Sequence, residues 1–97
     1  MRVQVLHVPG CPNAAVLTDR LRQLAAGRAG IERHLVHDLA EAARLGMNGS
    51  PTLLLDGVDP FARPGLGPSL SCRLYPDENG SLSGAPSVAQ LRQVLPR

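Results

Sequence analysis

The strongest constraint in this chain is a junction. The apolar run Val3-Gln4-Val5-Leu6-His7-Val8 stops at Pro9-Gly10, and a differently patterned segment starts directly after Cys11-Pro12. An apolar run bounded by a Pro-Gly turn reads as a strand over 3–8, buried on both faces inside a partly parallel sheet. Pro12 suits the first position of a helix, where its missing N–H would have no intrahelical partner. From Pro12 to about Ala26, Leu17, Leu21 and Leu24 recur at i, i+4 and i+7, with Ala14 and Ala25 extending the stripe. That spacing predicts an amphipathic helix of about four turns. Cys11 then stands at the helix start, where unpaired backbone N–H groups and the positive end of the helix dipole favour thiolate over thiol. A thiolate attacks disulfides and binds soft metals. The same residues fit, with equal weight, an ordinary cysteine buried where a strand meets a helix.

The remaining chain alternates strand and helix signals. Gly27 and Gly30 end the first helix, and Ile31 to His37 reads as a strand with weaker burial, toward a sheet edge. A right-handed crossover would set 3–8 and 31–37 parallel and adjacent. Asp38 is a helix cap for a short helix through Leu39, Ala42, Ala43 and Leu45, closed by Gly46. Pro51 leads the apolar Thr52-Leu53-Leu54-Leu55, which Asp56-Gly57 ends. A proline there belongs at a strand's start, because it cannot donate to a ladder. Asp59 to Ser69 is a shaped loop dense in proline and glycine, with Phe61 as the sole phenylalanine. Ser71 to Tyr75 reads as a short strand, Pro76 to Gly80 as a turn, and Ser87 to Leu95 as a capped final helix.

Ninety-seven residues with 43% hydrophobic content predict a single domain over 1–97. Aromatic content of 2% leaves no platform for stacked bases, and the ten arginines are dispersed, so nucleic-acid binding is not expected. No apolar stretch approaches the ~18 residues that span a bilayer, so no membrane association is expected. The N-terminal residues show no secretory h-region, and the expected setting is cytoplasmic. Two cysteines in such a chain read as free or reactive thiols rather than a structural staple. His7 lies four residues before Cys11. A hydrogen-bonded structural role is the better reading for it than a catalytic one. His34 and His37 point to opposite faces of a strand and do not share a metal. No bound cofactor and no metal ligand set is expected.

Strand, cysteine-bearing helix start, strand, helix, proline-led strand, strand, helix resembles the thioredoxin-like fold in order. Gly10-Cys11-Pro12-Asn13 and Gly46-Met47-Asn48-Gly49-Ser50-Pro51-Thr52 carry the resemblance, with Gly84-Ala85-Pro86 before the last helix. It implies an α/β domain, a mixed four-stranded sheet flanked by three helices. It also implies that Cys11 is the reactive thiol, that Pro12, Asn13, Ser50 and Pro51 hold the substrate, and that Pro51 is cis and lies against Cys11. The backbone of Ser50 would then be free to pair with an extended substrate by strand addition. Where redox-active members place a second cysteine, this chain has Ala14. Cys-Pro-Asn-Ala cannot resolve a mixed disulfide internally.

Two resolving thiols are open. Cys72 would serve if the strand at 71–75 lay beside 52–56 and its loop folded toward Cys11, and a core-facing Cys72 is the more ordinary reading. Glutathione, as a co-substrate, is the external choice. A narrower resemblance, through Gly49-Ser50-Pro51-Thr52, Asp59-Pro60-Phe61 and Pro68 to Tyr75, is to small bacterial thioredoxin-like proteins labelled alkylmercury lyase-like. The expected activity is that of a thiol-dependent oxidoreductase acting on a thiol or disulfide. The alternatives are a module capturing a soft metal or organomercurial at Cys11, alone or with Cys72, and a partner-binding domain with an inert Cys11.

Overall fold

The computed structural model describes residues 1–25 and 30–96. Its central strand is β1 (Val3–His7), buried along its whole length. It is followed by α1 (Pro12–Ala25) and β2 (Ile31–Leu35). β1 and β2 are parallel and adjacent, with Val3 opposite Ile31 and His7 opposite Leu35. The expected turn at Gly27 lies outside the described residues. β2 is the poorly buried edge that its alternation predicted.

α2 (Leu39–Leu45) begins at Asp38, whose Oδ1 accepts from the Glu41 N–H at 2.8 Å, and ends at Gly46 in the left-handed region (φ 92°). The chain then forms β3 (Asn48–Ser50) and, directly after Pro51, β4 (Thr52–Leu55). β4 runs antiparallel to β1, Val3 facing Leu55 and Leu6 facing Thr52. Asp56 and Gly57, both at positive φ, turn the chain back so that Val58 pairs with Leu55.

Side-chain alternation divides two cores across this sheet. Val3, Val5, Leu53 and Leu55 pack on one face against Leu17 and Leu21 of α1 and Leu91 of α3 (Val88–Val94). Leu6 and Leu54 pack on the other against Ala42, Met47 and Val36. Ser87 and Gln90 close α3 with a reciprocal capping box. The Arg20 guanidinium donates to the Pro86 carbonyl at 2.8 Å and ties α1 to the start of α3.

The sheet departs from expectation in its fourth strand. Three strands form it, in the order β2-β1-β4. The run at 71–75 does not join them as one strand beside β4. Its first part is β5 (Ser69–Cys72), parallel to β3, and its last residue opens β6 (Tyr75–Pro76), antiparallel to β7 (Leu82–Ser83). Two local causes are visible. Arg73 is drawn inward to a buried ion pair with Asp59 (2.7 Å), which holds this part of the chain next to β3. Pro76 has no N–H to donate and closes β6, and Asp77 Oδ1 accepts from the Asn79 and Ser81 N–H groups to turn the chain into β7.

Candidate functional site

The end of β1 where the chain leaves for α1 is also the end where β4 begins, since Leu6 pairs with Thr52. Cys11 immediately precedes α1, its N–H donating to the Val8 carbonyl and its own carbonyl accepting from Ala14 (both 3.3 Å). The thiol is half-buried and packs against the core shared by α1 and α3. Gly10 adopts φ 75°, the left-handed conformation that a Pro-Gly turn needs here. His7 is buried, and its Nδ1 donates to the neighbouring Val8 carbonyl at 3.0 Å, a structural role.

The Ser50–Pro51 peptide bond is cis. Ser50 is tied to the Cys11 turn, because its Oγ accepts from the Val8 N–H at 3.0 Å. Pro12 is exposed at the head of α1. Asn13 is half-buried and turned toward Gly84, where a methyl group would collide with its carboxamide. Cys11, Pro12, Asn13, Ser50 and Pro51 therefore gather at one end of the sheet.

The backbone around Pro51 is not open as expected. The Gly49 carbonyl accepts from Thr52 Oγ1 (2.6 Å), the Ser50 carbonyl from the Arg73 N–H (3.0 Å), and the Pro51 carbonyl from the Tyr75 hydroxyl. β5 occupies the edge that strand addition at Ser50 would use, with Cys72 opposite Ser50. Gly49, at φ 103°, allows this approach, since a Cβ there would lie 2.9 Å from Arg73 Cβ.

No family model, no curated protein and no solved structure matches this chain.

Three residues that sequence reasoning did not single out hold the site's floor. Arg73 and Asp59, with side chains only 4% and 6% exposed, form the buried ion pair. Arg73 also donates to the Phe61 carbonyl (2.8 Å) and to Thr52 Oγ1 (3.3 Å), while Asp59 accepts from Phe61 N–H and Asn48 Nδ2. Such a pair is retained only when the remaining donors and acceptors are satisfied, as they are here. Tyr75 sits on this network, its ring 4.6 Å from the Arg73 guanidinium and edge-on to Phe61 at 5.6 Å. Burial pushes the Tyr75 phenol far above its ordinary range. Arg73 opposes that shift, and the charges of Asp59 and then Cys11 add to it, so Cys11 lies within electrostatic reach of the phenol. The signal available in the sequence was the acid–base pair flanking the Pro/Gly loop, which has no local spacing rule to identify it.

Cys72 is exposed, not core-facing. Its neighbour Arg73 runs inward, so strand alternation turns Cys72 outward. It lines a cleft of about 420 Å³ with Arg63, Leu66, Ser69 and Leu74, which does not include Cys11. Both thiols are free. His34 lies 3.4 Å from Gln4 Nε2 and His37 3.6 Å from Glu41, and the two do not converge. Among the described residues there is no cluster of three His, Cys, Asp or Glu side chains that could hold a metal ion. No described helix is long and apolar enough to cross a membrane.

Proposed function

We propose that this chain is a thioredoxin-like thiol oxidoreductase that works through one nucleophilic thiol, Cys11. One observation supports the reading above the others. The half-buried Cys11 lies immediately ahead of α1, at the end of the central strand, with its turn hydrogen-bonded to Ser50. Parallel β1–β2, antiparallel β1–β4 and the helix order agree with the element order of that fold.

Cys11 directly precedes Pro12, the first residue of α1, and a helix N-terminus favours negative charge beside it. In the proposed reaction the Cys11 thiolate attacks one sulfur of a disulfide. A Cys11 mixed disulfide forms as the substrate S–S bond breaks, and the departing thiolate takes up a proton. Ala14 provides no thiol to resolve this intermediate, and Cys72 faces outward from the network beside Arg73. One external low-molecular-mass thiol of the glutathione class therefore attacks the Cys11 sulfur of the mixed disulfide and displaces the second substrate thiol, and another attacks the resulting Cys11 adduct, releasing Cys11 and forming one external disulfide. A reducing cytoplasmic setting suits such chemistry. Substituting Cys11→Ser abolishes catalysed disulfide reduction in a glutathione-coupled assay, whereas retained catalysis rejects the proposal.

A further inference from the structure

We infer that the Cys11 site acts on low-molecular-mass disulfides and excludes extended polypeptide substrates, because the chain's own strand already fills the edge on which a polypeptide would pair. This substrate class rests on the oxidoreductase reading above. A polypeptide held by strand addition needs free main-chain partners beside the reacting sulfur. Three successive carbonyls at that position, Gly49, Ser50 and Pro51, are satisfied from inside the chain, by Thr52, Arg73 and Tyr75. Ser50 Oγ is engaged by Val8, and Ser50 is 2% exposed.

The occupying segment is anchored. Arg73 delivers its N–H to Ser50 and its guanidinium to Asp59, Phe61 and Thr52. Gly49 packs against it with no space for a side chain. Unseating the segment exposes a buried ion pair, which disfavours exchange with an incoming strand. A small disulfide needs only its sulfur at Cys11. The balance is one disulfide and two external thiols giving two substrate thiols and one external disulfide, with the external thiol as reductant.

The test compares two substrates with glutathione as reductant and the Cys11→Ser protein as the uncatalysed reference. One is the mixed disulfide of mercaptoethanol and glutathione, and the other is insulin. Because β5 already fills the edge on which a polypeptide would pair, the small disulfide is expected to be reduced well above the Cys11→Ser rate and insulin no faster than that reference. Comparable rates overturn the inference while leaving the oxidoreductase reading intact. Catalysis of neither substrate defeats that reading and this inference together. Asp59→Asn keeps the side chain's shape and removes the charge that anchors Arg73, so it is expected to narrow the gap by raising the insulin rate. A folded Asp59→Asn protein with an unchanged gap also counts against the inference.

Discussion

At the scale of single residues, Tyr75 links the Pro51 segment to the buried Arg73 network. Its hydroxyl donates to the Pro51 carbonyl, and its ring meets Phe61 and Arg73. Burial raises the folded pKa above the unfolded value of about 10, so the unfolded chain loses this proton first. Between those two values the native state binds more protons than the unfolded one, and stability falls as pH rises. Because the chain has one tyrosine and no tryptophan, phenolate absorbance reports this group alone. In an alkaline titration followed by absorbance and circular dichroism, phenolate is expected to form together with unfolding, well above pH ~10. Ionisation near pH ~10 with the fold intact contradicts the buried position. Tyr75→Phe is expected to cost about 1–3 kcal/mol in denaturant unfolding, by leaving the Pro51 carbonyl without its donor. Nothing local in Leu74-Tyr75-Pro76 signals this role, which depends on contacts across 24 residues of sequence.

Elements with local punctuation were legible, and those made only by distant pairing were not. Asp38 and Gly46 bracket α2, and Ser87 heads α3, because caps satisfy backbone groups within a few residues. By contrast, Asn48-Gly49-Ser50 is short, polar and centred on a glycine, and it becomes β3 only because β5 lies beside it. Leu82-Ser83 likewise becomes β7 by pairing with β6. The expected strand at 71–75 is divided by the inward pull on Arg73 and by Pro76, and the first of these depends on Asp59, 14 residues away. The locally encoded cap has a testable size. Ser87→Ala removes the Oγ that accepts from the Gln90 N–H, the Ser87 side-chain half of the α3 capping box, and is expected to destabilise the protein by about 1 kcal/mol, lowering Tm by roughly 4–8 °C in calorimetry. An unchanged Tm means that this half of the box adds nothing beyond solvent hydrogen bonding.

Across the molecule, three helices and a mixed three-stranded sheet among the described residues bring Cys11 and the Ser50–Pro51 segment, some 40 residues apart in sequence, to one end of the core. Both halves of that juxtaposition were readable, since each is marked by proline and glycine at a strand boundary. The closed edge beside it was not, because it depends on the buried Arg73–Asp59 pair and on Gly49 yielding space to β5. The same arrangement separates the two thiols by environment. Cys11 is half-buried at the head of α1, and Cys72 is exposed at the cleft. Exposure alone would make Cys72 the thiol that reacts first, whereas the proposed function requires Cys11. The most direct measurement is peptide mapping by mass spectrometry after equilibration across a glutathione redox series, with alkylation to trap free thiols. The account predicts a reversible glutathione adduct on Cys11 while Cys72 remains a free thiol. Glutathione on Cys72 with Cys11 unmodified throughout would contradict it.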